Sequence, residues 1–484
     1  MKTRLIDMRR IKPKLTALTF AAALCLSACS MDPVYQRPAA PIPTTYPNSD
    51  NVANGVNSDN GPGTHESAPV DASTNALADW RSVFKDPQLQ QVIALTLQNN
   101  RDLRVAALQV REYEAQYRIA RAALAPTVAA TASQDRLHSG GATTSASSIE
   151  LGTSSWELDF FGRLRSLKSQ ALETYLSSDA ARRSTQLSLI STTATDYLTW
   201  LSDQSLLKIT QDTVTSDQQT YQTTLQVQKL GNSTMLDVQE AKTSLASAES
   251  SLASYRRAVA QDRNNLIAAI GGPLPAGFPD DRGLADTMLL ADVPAGLPSD
   301  LLTRRPDIVA AEHTLKAANA YVGSARAAFF PTISLTATAG TSSSQLSELF
   351  KAGTGAWAFE PSISLPIFNY GSLKASLDVA KVEKDIDIAN YELAIQTAFK
   401  EVANGLAGRA TYLDQLRADA DYLSAAQSYY DIEKGRYDAG LDSFLTLLIA
   451  QRTLYTAQTQ QVTDRLAQQS NLVTLYIALG GGWN

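Results

Sequence analysis

An internal repeat constrains this chain more than any other feature of its sequence. The stretch 120–127 matches the stretch 325–332, and both read Ala-Arg-Ala-Ala-X-X-Pro-Thr. Three later glycines recur at the same intervals in each half: Gly162, Gly231 and Gly271, then Gly371, Gly440 and Gly480. Chance would not preserve both intervals, so the chain builds one structural unit twice. The 484 residues therefore contain two halves of a single fold.

Each half contains two segments in which apolar and polar residues alternate, the pattern of a half-buried strand. These segments are 127–137 and 147–161 in the first half, and 332–339 and 357–367 in the second. Polar, glycine-rich stretches at 139–148 and 341–355 separate the members of each pair and are typical of loops. The pattern predicts one β-hairpin per half, at 127–161 and at 332–368.

Long helices are predicted after each hairpin. The segments 162–231 and 371–440 contain no proline, and in the first of them apolar residues recur at steps of three and four: Leu187, Ile190, Ala194, Tyr197 and Leu201. This narrow seam is typical of coiled coils, and a helix of that length extends roughly 100 Å. Gly231 and Gly440 interrupt the pattern before a second helical segment, so we expect the tip of a helix hairpin at each glycine.

The predicted strands require an oligomer. A half-apolar strand of about ten residues is long enough to cross an outer membrane, where lipid offers no hydrogen-bond partner to a strand edge. Four strands cannot close a barrel, since bacterial barrels need at least eight. Two chains would give a barrel with a filled lumen, whereas three give twelve strands and a pore. The predicted fold is an α+β membrane channel, in which a shared 12-stranded trimeric β-barrel continues into a long α-helical coiled-coil tunnel.

The N-terminus predicts export and lipid anchoring. A basic segment and an apolar stretch too short to span a bilayer precede Leu26-Ser27-Ala28-Cys29. These four residues resemble the bacterial lipobox, which implies cleavage before Cys29, a diacylglycerol on its sulfur and palmitate among the acyl chains. Ser30 is not the aspartate that retains lipoproteins in the inner membrane, which implies sorting to the outer membrane. The alternative is a plain secretory signal with a chance cysteine.

Composition excludes several classes of function. The net charge is −6, so nucleic acid is not an expected partner. The three histidines do not have the spacing of metal ligands, and the sequence contains no Ser/His/Asp set and no phosphate-binding loop. We therefore expect neither an enzyme nor a metal or cofactor other than the lipid on Cys29. Both cysteines, Cys25 and Cys29, lie near the N-terminus, so the body of the protein forms no disulfide.

These features divide the chain into five parts. They are a signal peptide over 1–28, a lipidated extended linker over 29–79, a first repeat over 80–272, an inter-repeat linker over 273–300 and a second repeat over 301–484. The first linker is rich in Pro, Asn, Ser, Thr and Gly, and it cannot bury enough apolar surface to fold alone.

Further motifs are distributed along nearly the whole mature chain. They are Pro33-Val34-Tyr35-Gln36-Arg37-Pro38, Trp80 to Phe84 with Asp86-Pro87 and Leu89, Asn100 to Arg104, Arg305-Pro306-Asp307-Ile308, and Ala478 to Trp483. In combination they resemble the lipoprotein branch of the TolC-like outer-membrane efflux proteins. The resemblance implies a homotrimer, lipid-anchored in the outer membrane and extending into the periplasm. It also implies a periplasmic adaptor and an inner-membrane transporter, of the resistance-nodulation-division type, as partners in drug efflux and antibiotic resistance.

The resemblance further implies a periplasmic gate at the tips of the helix hairpins. By position, it assigns contacts between helices to Tyr437 and Arg452 and an apolar constriction to Leu445. The predicted tips themselves contain Gly231 in the first half, and Gly440, Asp442 and Ser443 in the second.

One position departs from the family. Its members usually have an aspartate directly before Ala-Gln-Arg, where this chain has Ile449. Asp237 is the remaining candidate for a carboxylate at the mouth, and we consider a pair between Asp237 and Arg452. The alternative for Asp237 is an exposed charge or a first-turn acid near a helix N-terminus.

Several alternatives remain open at this point. The chain could be a structural periplasmic coiled-coil lipoprotein or an ordinary helical bundle, both of which the alternating strands disfavour. It could also be the exit duct of a type I protein secretion system, which the lipobox and the terminal Gly-Gly-Trp disfavour. Trp156, Trp357 and Phe359 are either anchors at the lipid interface or ordinary strand packing.

Overall fold

The computed structural model describes residues 31–43, 46, 79–275, 277–278, 282–284 and 305–481. The predicted signal peptide, Cys29 and most of the predicted inter-repeat linker lie outside the described residues. In chain order the elements are α1 (Trp80–Val83), α2 (Pro87–Asn99), α3 (Arg101–Ala122), β1 (Ala129–Ser139), β2 (Ala142–Glu157), α4 (Arg163–Lys229), α5 (Met235–Ile270), α6 (Pro306–Ala327), β3 (Thr332–Ser343), β4 (Gly355–Ser364), α7 (Ser372–Asp438) and α8 (Phe444–Ala478).

The chain divides into two compact units. One consists of the residues up to 39 together with 109–179 and 310–392, and it contains all four strands. The other consists of 40–108, 180–309 and the residues from 393 on, and it contains both predicted helix-hairpin tips.

The strands form one antiparallel sheet in the order β1-β2-β3-β4, so the hairpins of the two halves pair through β2 and β3. The pairing of β1 with β2 continues to Ser139↔Ala142. The loop predicted at 139–148 is therefore wrong. Gly140 and Gly141 have φ of +57° and +82°, which permits a tight two-residue turn, and the serine and threonine residues after it continue the strand.

The second hairpin has a longer connection, which contains a short 3-10 turn at Leu346–Glu348. β4 ends at Ser364, before the end of the alternating segment 357–367. Trp357 and Phe359 are 79% and 60% exposed, so they are not packed inside this chain as ordinary strand residues would be.

The long helices have the predicted extent. α4 and α7 contain 67 residues each, which corresponds to roughly 100 Å. The five seam residues predicted in the first half are all buried on α4. Among the described residues, no helix combines the length and the hydropathy needed to cross a membrane.

The Asp86-Pro87 motif begins α2 and lies against the main apolar core. The Asp86 carboxylate accepts a hydrogen bond from the backbone N–H of Gln88 at 2.9 Å, and proline occupies the first turn, where no N–H is needed. This carboxylate is buried, but Arg282 and the hydroxyl of Tyr197 each lie 3.1 Å from it. Burial of a charge is tolerated because these partners compensate it.

The Arg305-Pro306 motif joins three segments at the start of α6. The Arg305 guanidinium is 7% exposed and lies 2.8 Å from the carboxylates of both Asp307 and Glu401. It also donates to the carbonyl of Ala478 at 2.9 Å, one of the carbonyls at the end of α8 that have no partner within the helix. The motif thus has a structural role: Arg305 satisfies a backbone carbonyl at the C-terminal end of α8.

A pair of acidic side chains, Asp203 on α4 and Asp262 on α5, links these two helices. Burial raises the pKa of Asp262 to about 7, and the charge and hydrogen bond of Asp203 add to the increase. A carboxyl whose pKa is higher in the folded state stabilises the fold while protonated, and that contribution is lost as pH rises through the folded-state pKa.

We predict that the thermal unfolding temperature of the detergent-solubilised protein falls as pH rises from about 4, the ordinary pKa of an aspartate in the unfolded chain, to about 7, and that it levels off above that pH. Asp262→Asn should flatten this dependence, because the amide cannot ionise. Asp212→Asn is the control, since Asp212 lies on α4, the helix that carries Asp203, but is exposed and paired with Lys208 at 2.6 Å. Differential scanning fluorimetry across the pH series measures the effect, and equal slopes for Asp262→Asn and the wild type would contradict the prediction.

Candidate functional site at the helix-hairpin tips

The two tips have the same backbone structure. At the first tip, Gly231 has φ of +82°, its N–H donates to the carbonyl of Gln228, and the N–H of Asn232 donates to Val227. These are the two bonds of a Schellman motif, in which a glycine ends a helix in the left-handed conformation. The second tip repeats the arrangement: Gly440 has φ of +72°, and the N–H groups of Gly440 and Leu441 donate to Tyr437 and Arg436. The predicted tip glycines therefore both end a long helix.

Asp237 belongs to a helix cap at the first tip. Thr234 is the N-cap of α5, and its hydroxyl accepts a hydrogen bond from the N–H of Asp237 at 3.2 Å. In return the Asp237 carboxylate accepts from the N–H of Thr234 at 2.9 Å and from the hydroxyl of Ser233 at 2.8 Å. The bond from the Thr234 backbone lowers the pKa of Asp237. This arrangement is a capping box. Within a single chain, Asp237 is therefore an acid in the first turn of α5, the alternative considered for it above.

Asp442 and Ser443 stabilise the second tip. The Ser443 hydroxyl accepts a hydrogen bond from the N–H of Thr446 at 3.3 Å and thereby caps α8. Asp442 forms an ion pair with Arg436 on the preceding helix, and the hydrogen bond from Arg436 lowers the pKa of this carboxyl. The Arg436–Asp442 pair bridges the turn around Gly440.

The two apolar residues of the predicted gate lie in different environments. Tyr437 packs against the ring of Phe444 in an edge-to-face contact at 5.9 Å, beside a buried cluster of Ala241, Phe444 and Leu448. Leu445 is 51% exposed. Ile449, one turn after Leu445 on the same face of α8, is also exposed, as is Leu441 in the turn before this helix. The position at which the family usually has an acid therefore extends an exposed apolar stripe on α8, Leu445–Ile449.

Within one chain, Asp237 and Arg452 have different surroundings. Asp237 bonds within its own cap, whereas Arg452 lines a polar groove together with Asp217 of α4 and Ser244 of α5. Burial raises the pKa of Asp217, while hydrogen bonds from Ser244 and Gln451 and the positive charge of Arg452 act to lower it. The carboxylate near Arg452 in the chain is thus that of Asp217.

The sequence analysis predicted no role for Asp217 or for its partner Gln451. Asp217 is 3% exposed and accepts a hydrogen bond from the side-chain amide of Gln451, which is itself buried. The sequence contains a pattern that could have indicated this site: Thr210, Asp217 and Thr224 are spaced by seven residues on a helix of coiled-coil type. In the structure all three are buried. Polar residues at heptad spacing mark a polar stretch of a helix seam.

Both the sequence and the fold match known proteins. The family model described as outer membrane efflux protein matches residues 92–272 and 297–481. Two Pseudomonas putida proteins, the antibiotic efflux pump outer membrane protein ArpC and the toluene efflux pump outer membrane protein TtgC, are each 49% identical to this chain over 469 residues, which covers 95% of this chain and 94% of the relative. The crystal structure of the open state of the Neisseria gonorrhoeae MtrE outer membrane channel has a TM-score of 0.83 at 37% identity, and the match covers 94% of this chain and 99% of that one.

Proposed function

This chain belongs to the outer membrane efflux protein family, and from that premise we propose that it is the exit duct of a tripartite efflux system. It is an outer-membrane channel, not an enzyme. Its cargo is drugs and other small molecules, in keeping with relatives named for antibiotics and for toluene. An inner-membrane transporter of the resistance-nodulation-division type delivers this cargo through a periplasmic adaptor. Exposed apolar side chains at both tips, including Leu230, Leu236 and Leu441, supply a surface for the adaptor.

The main observation in support of this proposal is that the four-stranded sheet has two unpaired edges, β1 and β4, among the described residues. Among the described residues, β1 pairs with β2 alone and β4 with β3 alone, so each edge strand has backbone groups that need partners. β4 has ten residues, enough to cross the hydrocarbon core of a membrane, and its exposed side chains include Trp357, Phe359 and Ile363. A homotrimer that pairs β1 of one chain with β4 of the next closes a barrel of twelve strands around a pore.

We predict that the detergent-extracted protein is a trimer and that it forms channels in planar bilayers. Native mass spectrometry measures the oligomer, circular dichroism the strand content and bilayer recordings the conductance. A stable monomer that keeps its full strand content would contradict the closure argument, because its edge strands would remain unpaired in the membrane. A trimer that folds but never conducts would contradict the proposed duct.

The proposed lipid anchor is supported by residues 31–37, the strap, which lies along α6. The carbonyl of Met31 accepts from Arg326 at 3.4 Å, and the carbonyl of Pro33 accepts from Asn319 at 2.8 Å. Arg37 then pairs with Glu312. Six residues of extended strap and the 14 residues of helix between these contacts both extend roughly 20 Å, so the strap lies antiparallel to α6.

Glu312 holds the far end of the strap. Its carboxylate is 6% exposed and receives Arg37, the hydroxyl of Tyr35 at 3.3 Å and the ammonium of Lys316 at 3.0 Å. Burial alone would raise the pKa of Glu312, but hydrogen bonds from Arg37 and Lys316 lower it below the ordinary value. The near end of the strap is Met31, two residues after Cys29, and it lies at the end of α6 that leads into β3. The first described residue of the strap is therefore placed beside the end of α6 that precedes β3.

We predict a diacylglycerol on Cys29 of the mature protein, because only the thiol accepts it. Mass spectrometry of the purified protein should find the modified N-terminal peptide in the wild type and in Cys25→Ser, and it should not find it in Cys29→Ser. An unmodified Cys29 in the wild type would contradict the prediction. Insertion of the strands still holds Cys29→Ser in the membrane, so its localisation is not the measurement.

The gate remains the proposal made from the sequence, with Asp237, Tyr437, Leu445 and Arg452 contributing at the tips. Crowding of three Leu445 side chains around a threefold axis would exclude water from the closed mouth. Exposed ion pairs contribute only about 0–1 kcal/mol each, so the loss of one charge does not open the mouth.

We predict that Leu445→Ser combined with Arg452→Ser raises single-channel conductance in planar bilayers and increases entry of vancomycin into cells. The matched control is Leu413→Ser with Arg417→Ser, an exposed pair on α7 away from the tips. If the double variant assembles as a trimer and conducts like the wild type, the gate lies elsewhere, and the apolar residue at Ile449 becomes the first alternative.

A further inference from the structure

We propose that Asp217 is a positioning residue of the gate: its carboxylate, bound to the Gln451 side chain, fixes the rotation of α8 and so holds the Leu445–Ile449 stripe in its resting position. The inference rests on the proposed channel function, and it names a contact that regulates the closed state. It concerns contacts within one chain, between α4, α5 and α8.

The two faces of α8 near the tip are opposed. Phe444, Leu448 and Gln451 are buried, while Leu445 and Ile449 are about half exposed. Ile449 and Gln451 are two residues apart and therefore about 200° apart around the helix axis. A contact that holds Gln451 inward consequently determines the direction in which the exposed stripe points.

The Gln451 side chain contacts two neighbouring residues of α4. Its side-chain amide donates to the Asp217 carboxylate and lies 3.4 Å from the hydroxyl of Ser216. Asp217 in turn receives a hydrogen bond from Ser244 of α5. The carboxylate thus joins three helices, and a hydrogen bond that involves a charged group is about twice as strong as a neutral one.

Fully buried side chains are few in this part of α8. Between Gln451 and Val473, a stretch that the structure describes completely, Ala457 is the buried residue of the helix. The next polar contact with α4 is a neutral one, between the hydroxyls of Thr210 and Tyr455 at 3.2 Å. Apolar packing with so small a side chain tolerates rotation of a helix, whereas a buried polar contact permits one register. The Asp217–Gln451 contact is therefore a buried polar contact between α4 and α8, next to the tip cluster, that favours one rotation of α8.

The test compares single-channel recordings of purified trimers in planar bilayers. Asp217→Ala removes the acceptor for Gln451, and we expect the fraction of time spent open to rise roughly tenfold, as befits a lost hydrogen bond to a charged group. Asp217→Asn keeps a neutral acceptor oxygen for the Gln451 amide, so its open fraction should lie between those of the wild type and Asp217→Ala. Asp212→Ala, an exposed position five residues earlier on α4, should leave gating unchanged.

Gln451→Leu tests the same contact from the other helix and replaces Asp217→Ala if that variant does not assemble. Where both assemble, the double variant should open no more often than either single variant, because each change removes the same contact. The proposal is overturned if Asp217→Ala or Gln451→Leu trimers gate like the wild type, if Asp217→Asn opens as often as Asp217→Ala, or if the two single effects are additive. A wild type that forms no channel would instead overturn the proposed function.

Discussion

The backbone of an edge strand needs hydrogen-bond partners, and in a membrane only another strand can supply them. In the part of the chain that the structure describes, β1 and β4 each have one paired side, and β2 and β3 join the two hairpins into a single sheet. This requirement is the physical reason for the proposed trimer. The two strand edges that lack partners in one chain can pair with the edges of neighbouring chains and so close a barrel. Each half of the chain supplies two strands, and three chains supply enough strands for a pore.

Repetition also determines the helix hairpins, although the two halves have diverged in their polar contacts. Both tips end a 67-residue helix with a glycine in the left-handed conformation, and both begin the following helix with a hydroxyl cap. The first tip adds the Asp237 capping box, whereas the second adds the Arg436–Asp442 ion pair. Between the halves, Asp217 of α4 contacts Gln451 of α8. Backbone motifs common to the two halves thus determine the positions of the tips. Polar side chains that differ between the halves determine the contacts between the helices.

The motifs that identify the family have structural explanations in this chain. Asp86-Pro87 begins a helix, Arg305 satisfies the end of α8, and Tyr35 and Arg37 attach the strap to Glu312. None of these side chains performs chemistry, as is fitting for a passive channel. They place the ends of long helices, where backbone groups have no partner within the helix and where an error of register would be transmitted along the whole element.

The sequence by itself determined the repeat, the length of the long helices, the tip glycines and the family, because these depend on periodicity and on the unique backbone freedom of glycine. It overestimated the loop of the first β-hairpin, since Gly140-Gly141 and the serine-rich residues after it have the composition of a loop but the geometry of a two-residue turn between continuous strands. It also gave no role to Asp217, which accepts a hydrogen bond from Gln451, more than 200 residues away in the chain. Only the tertiary structure decided that contact, because the rotation of each helix about its own axis follows from packing against its neighbours, and helical periodicity alone leaves that rotation undetermined.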